Sequence, residues 1–213
     1  STPSFNAAAN KNEYTLTQDA KGAQTVTIDS GAKIDANNTL NIYGGKVVVA
    51  DGVVFHISPP WRPWPHPVTA TIIAGNRVVM QTDPKQRSMP RFQVTTTKDN
   101  TVDFHGKMGE MYDYDAKTYI IGSSVNLDKA KFASSLTAAA VKQAAFDGKI
   151  YREEADAANV LSADGIKGGE STLSGGKVAL RNSVFGEHAS CGRVEIRGEK
   201  DYQMDLDRYP GGF

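Results

Sequence analysis

The sequence predicts a mainly β fold with a minor α+β character: antiparallel meander, sandwich or barrel-like sheets, with one amphipathic helix packed on them. Three observations carry this. Short β-branched runs alternate apolar and polar residues along most of the chain. Between them stand Asp-Gly, Gly-Gly and Gly-Asn pairs, which tolerate the positive φ that tight hairpin turns require. The period changes from two to three-or-four in one long stretch only, near residue 128.

Taken in order, residues 1–12 are small and polar and read as an N-terminal arm. Residues 13–161 read as a β-rich core domain. Its first part, residues 14–57, holds runs such as Thr25–Ile28, Lys46–Val49 and Val53–Ile57, separated by Asp29-Ser30-Gly31, Gly44-Gly45 and Asp51-Gly52. These predict an antiparallel meander. The six-residue spacing of Ile28, Ile34 and Leu40 supports a rival, a short β-solenoid over 24–57, but Lys46 falls where the next apolar residue belongs. Further hairpins are predicted across Ala74-Gly75-Asn76 and Lys98-Asp99-Asn100. No internal repeat stands out.

Asn126 or Asp128 caps a predicted helix over 128–146, with Phe132, Leu136, Ala139/Ala140 and Ala144 as its apolar face and Asp147-Gly148 as its stop. A shorter helix is expected over 153–161. Residues 162–176 read as a flexible Gly/Ser loop, 177–207 as closing strands of the same domain, and 208–213 as a C-terminal tail.

Lys+Arg and Asp+Glu balance at 24 each, so the basic excess of a general nucleic-acid binder is missing. No apolar run reaches the ~20 residues of a membrane-spanning helix. No signal peptide is visible in the first residues. Cys191 is the single cysteine, which leaves no intrachain disulfide and reads as a small buried hydrophobe.

Residues 56–67 concentrate both tryptophans and five of the nine prolines. Proline cannot donate to a ladder, so this stretch reads as an extended crossing that displays Trp61, Arg62 and Trp64. Two readings stand: the rings cover the end of the chain's own core, or they form a subunit interface, to which Phe5, Tyr209 and Phe213 of the terminal segments add. A P-x-x-P ligand is the weaker third. Asp113 and Asp115, interleaved with Tyr112 and Tyr114, form a candidate carbohydrate or ion contact, set against a plain solvated strand edge. His56, His66, His105 and His188 show no metal-ligand spacing, so neither a metal nor a cofactor is expected. Nucleotide-loop, zinc-protease and serine-hydrolase motifs are missing, and no catalytic residue is nominated.

The expectation is therefore a non-enzymatic structural subunit of a larger assembly, a virion component or bacterial surface structure. Its partners would be copies of itself or other subunits, with glycans as a further option, and its place a virion or an extracellular or cell surface. The alternative, from another class, is a carbohydrate-binding or polysaccharide-degrading β-domain using the tyrosine and tryptophan platforms and the Asp113/Asp115 region.

Overall fold

The computed structural model describes residues 25–36, 39–57, 69–81, 91–109, 117–133, 135–147, 150–185 and 194–208. Among these the protein is β throughout, and no helix is present. The strands are β1 (Thr25–Ile28), β2 (Lys33–Ala36), β3 (Thr39–Gly44), β4 (Lys46–Val49), β5 (Val54–Ile57), β6 (Thr69–Ala74) and β7 (Arg77–Gln81). Next come β8 (Arg91–Thr95), β9 (Thr101–Phe104), β10 (Lys107–Met108), β11 (Lys117–Gly122), β12 (Ser124–Asn126), β13 (Lys131–Phe132) and β14 (Ser135–Ala140). The series closes with β15 (Gln143–Asp147), β16 (Ile150–Glu154), β17 (Val160–Asp164), β18 (Lys167–Gly168), β19 (Ser171–Phe185) and β20 (Val194–Arg208).

The main sheet is parallel, not an antiparallel meander. β1 pairs with β4, β4 with β9, β9 with β12, β12 with β17 and β17 with β19, forming a first ladder. β2, β5, β10, β13 and β18 form a second. β3, β6, β11, β14 and the start of β19 form a third. The chain visits the three ladders in turn, so one sheet curls around a single core and each circuit stacks on the last. The solenoid spacing seen over 24–57 is thus realised, and it continues far beyond Lys46. That lysine is exposed and pairs in register with Thr25, one position before the inward-facing Val47.

The turn signals correctly mark where the chain bends, but the bend is a corner between ladders rather than a reversal. Gly31, Gly52, Gly165, Lys129 and Asn182 all have positive φ, and all lie where the chain passes from the first ladder to the second. Positive φ serves any tight bend, so an Asp-Gly pair does not by itself choose between a hairpin and a corner. The expected hairpins also dissolve. β6 pairs with β3 and β11, and Asn100 closes a turn that returns the chain to the solenoid.

The predicted helix over 128–146 is instead the corner at Asp128-Lys129 followed by β13, β14 and β15. Phe132, Leu136 and Ala140 are four residues apart, a spacing shared by a helix face and by every second pair of an alternating strand. Their even positions face the solenoid core, with Ala138 between Leu136 and Ala140. Ala139 points the other way into a second core, which makes the alanine run apolar on both faces. The shorter helix expected over 153–161 is the end of β16, a turn at Ala157-Ala158 and the start of β17. Residues 162–176, expected as a loop, run through β17, β18 and the first part of β19.

The stacking also exposes a repeat in the sequence. Gly44-Gly45-Lys46-Val47-Val48-Val49 and Gly175-Gly176-Lys177-Val178-Ala179-Leu180 occupy the same corner and first-ladder strand in different coils. Short strands and unequal insertions between them hide this period from the linear sequence.

Each coil sends alternate side chains inward. Val26, Ile28, Val47, Val49, Val102, Ile72, Ile120, Leu136 and Leu173 are buried in the solenoid core. Phe55, Phe104 and Phe132 stack through it, with ring centroids 5.7 and 5.4 Å apart. Fully burying side chains of this size contributes about 1.5–3 kcal/mol each.

A second sheet, antiparallel in the order β16-β15-β8-β7, grows from one corner of the solenoid in two insertions. β7 and β8 leave after β6, and β15 and β16 leave after β14. They meet through β8 and β15, from Gln143 opposite Thr95 to Asp147 opposite Arg91. The inner face of this sheet covers the outer face of the third ladder. Phe92, Val94, Ala144 and Phe146 pack there against Tyr43, Ile73, Tyr119 and Ile121. Phe92 and Phe146 stack at 4.8 Å, and Tyr119 meets Phe146 edge-on at 4.5 Å. The third ladder is therefore buried on both sides, which explains the unbroken burial of Thr69–Ala74.

A candidate ligand-binding face on the antiparallel sheet

Alternation that sends Phe92 and Val94 inward sends Arg91, Gln93 and Thr95 outward. The same parity places Arg77 and Val79 on the outer face of β7 and Gln143 on that of β15. Arg152 and Glu154 keep that parity on β16, opposite Ala145 and Gln143, and a bulge beyond them brings Ile150 opposite the inward Phe146. Two rows of side chains cross the sheet. One runs Arg77, Thr95, Gln143, Glu154, and the next runs Val79, Gln93, Ala145, Arg152.

All of these but Glu154 line a shallow trough of about 250 Å³. Its lining holds two guanidiniums, Arg77 on one outer strand and Arg152 on the other, with Gln93, Thr95 and Gln143 between them and no carboxylate. Val79 is the one large apolar side chain exposed among the described residues. At the rim, Gln143 Nε2 donates to Glu154 Oε2 at 2.6 Å, which ties up that carboxylate. Neither guanidinium of the trough has an ion-pair or hydrogen-bond partner among the described residues.

The junction between sheet and solenoid is held by polar contacts. Thr96 N donates to Lys142 O at 2.8 Å, and Thr96 Oγ1 donates to Val141 O at 2.6 Å. The Lys142 ammonium lies 2.8 Å from the Asp156 carboxylate on the surface. That hydrogen bond and charge hold the lysine above its ordinary pKa and the aspartate below its own. Beneath the sheet, burial pushes the Tyr119 phenol up to about 12.

Two further polar arrays run along the solenoid. Lys107, Lys131 and Lys167 stand in register on three successive strands of the second ladder, all exposed. At the adjacent corner His105 Nδ1 contacts Asp128 O at 2.8 Å, Asp128 Oδ1 accepts from Asp164 N at 2.7 Å, and Asp164 Oδ1 accepts from Asn182 Nδ2 at 2.9 Å. These bonds tie one coil to the next. Among the described residues no three His, Cys, Asp or Glu side chains cluster as metal ligands. No helix among them is long and apolar enough to cross a membrane.

The side chains nominated from sequence, Trp61, Arg62, Trp64, Phe5, Tyr209, Phe213, Asp113, Asp115, Tyr112 and Tyr114, lie outside the described residues. The trough went unnoticed in the sequence. The alternation of Arg77-Val78-Val79 and of Gln93-Val94-Thr95 was visible there, but nothing marked their strands as neighbours. Gln143 is hidden by the helix expected over 128–146, and Arg152 falls in the gap between the two expected helices. Compared with protein-family models, curated proteins and solved structures, the chain matches none.

Proposed function

We propose that this chain is a non-enzymatic structural subunit of a larger assembly, a virion component or a bacterial surface structure, that associates with copies of itself or with other subunits. The observation that carries this is the edge strand β20. It pairs in parallel with β19 from Val194 to Arg208, and no described strand pairs with its other side. At the opposite end β1, β2 and β3 each pair on one side only among the described strands.

A parallel edge presents N–H and C=O groups at fixed spacing, which is a template for another strand. Solenoids meeting head to tail would extend all three ladders without new geometry, and such heterologous contacts build rods. The Pro/Trp segment and the terminal arms are the second set of contacts in this reading. A rod of this kind suits a virion or an extracellular or cell surface.

The test is sedimentation velocity with negative-stain microscopy, on the intact chain and on a chain lacking residues 1–12 with Trp61→Ala and Trp64→Ala. The reading expects particles or filaments from the first and folded monomers from the second. It also expects the β20 amides to exchange more slowly in the assembly than in the monomer. A monomer at every concentration, or assembly unaffected by the variant, would refute it.

A further inference from the structure

We infer that the trough on the outer face of the antiparallel sheet binds an acidic polysaccharide, a chain of sugars carrying carboxylate groups. The argument starts from charge. Two guanidiniums without partners among the described residues point to an anion, because Arg presents paired donors that match a carboxylate. They stand on the two outer strands of four, three interstrand spacings apart, on the order of 14 Å along the sheet. One small anion would engage both only if the two side chains folded inward toward each other across the middle strands. A linear ligand with repeated charges engages both without that.

The groups between the arginines narrow the class. Gln143 already donates to Glu154, and no described group donates to its Oε1, which stays an acceptor at the middle of the trough. Gln93 brings both a donor and an acceptor, and Thr95 a hydroxyl. A fully ionised phosphate or a carboxylate side chain offers acceptors only, and would leave these acceptors to water. Sugar hydroxyls both donate and accept. Val79 supplies a small apolar contact of the kind that the C–H face of a sugar ring covers. The cavity is open and smaller than the ~300–1,000 Å³ of a typical small-molecule pocket, so it holds part of a chain lying across the sheet. The carbohydrate reading thereby moves from Asp113 and Asp115 to a face with the opposite charge.

The site lies within one copy of the chain, so it stands or falls independently of assembly. The experiment is titration calorimetry of the intact chain with oligogalacturonate, with neutral dextran and with poly-glutamate, at low and high ionic strength. Binding of oligogalacturonate that weakens with salt is expected, with none to dextran. Arg77→Gln and Arg152→Gln should each lower affinity roughly tenfold, the loss of one charge-assisted contact. Gln93→Ala should lower it less. All three side chains are exposed, so an unchanged thermal transition separates loss of contact from loss of fold. No binding of oligogalacturonate at low salt, or binding indifferent to both arginines, overturns the proposal. Poly-glutamate binding as tightly as oligogalacturonate also overturns it, in favour of an acidic polypeptide.

Discussion

Asn100 and Asn159 hold the same station in two different coils. Each side-chain amide donates to a backbone carbonyl of the preceding coil's corner, Asn100 Nδ2 to Gly45 O at 2.7 Å and Asn159 Nδ2 to Ser123 O at 2.9 Å. Each Oδ1 accepts from the backbone three residues earlier, at Thr97 and at Asp156. Both are buried. Each one seals the point where an insertion of the antiparallel sheet rejoins the solenoid.

Replacing either asparagine by alanine strands a buried carbonyl and should cost about 1–3 kcal/mol, read as a lower urea midpoint. Ser123 joins the two stations, since its N–H donates to Asn100 O at 2.7 Å while its carbonyl accepts from Asn159. The double variant should therefore lose less than the two single losses added together. Strict additivity would show that the stations are uncoupled.

Gly176 lies under the turn that closes the second insertion. A Cβ there would overlap Asp156 O, which is backbone and cannot swing aside. Gly176→Ala should cost at least the upper end of the usual overpacking range of about 1–3 kcal/mol. Gly165 is the control: it has open space but a φ of 81°, so Gly165→Ala should cost only about 1–2 kcal/mol. Equal midpoints for the two variants would contradict the overlap.

Tyr119 sets a limit at high pH. Its phenol titrates near 10.0 when unfolded and is pushed up to about 12 by burial. The folded protein holds that proton more tightly, so the stability is fully present below pH 10 and declines as pH rises from about 10 to 12. The loss should be on the order of 2 kcal/mol. Denaturant midpoints measured across this window should fall less steeply for Tyr119→Phe than for the parent. Parallel slopes would mean that the phenol ionises as freely in the folded protein.

Phe146 anchors the second core through Phe92 and Tyr119. Phe146→Ala should cost about 3–5 kcal/mol locally. The loss should fall on the antiparallel sheet, because the solenoid core does not include this ring. Hydrogen exchange should then show β8 and β15 unprotected while β9, β12 and β17 keep their protection. Uniform loss across both sheets would show that the two cores unfold as one.

Lys131 stands between Lys107 and Lys167 on adjacent strands. Like charges in register repel, so Lys131→Thr should raise stability by a few tenths of a kcal/mol at low salt. The gain should vanish at high salt, where exposed charges are screened. A gain that survives high salt would assign it to strand propensity instead.

Much of the fold was legible and its topology was not. The runs at Thr25–Ile28, Lys46–Val49 and Val54–Ile57 are strands as expected, and Asp51-Gly52 is a turn. A turn residue reports a local φ, however, and not the direction in which the chain continues. Leu136, Ala138 and Ala140 satisfy a strand, while Ala139 is apolar because a second sheet covers it; that sheet is a tertiary fact with no local trace. The trough fared likewise. Its arginines lie on strands from two insertions, and only the pairing of β8 with β15 brings them together.

Both insertions leave the solenoid by the same kind of corner, after β6 and after β14, and the corner between them, at Gly122-Ser123, carries none. That alternation makes the solenoid a rail with optional ports. Transplanting a hairpin of different outward sequence at a used port, with its inward apolar positions kept, changes what is displayed while the third ladder stays covered. The vacant port is different. The pairing of β8 with β15 passes over it, so a hairpin grafted there would have to enter as two further strands and move Arg77 and Arg152 two strands further apart. The reach of the face is thus set by how many coils separate two ports, a quantity that insertion or deletion of a whole coil would change in steps.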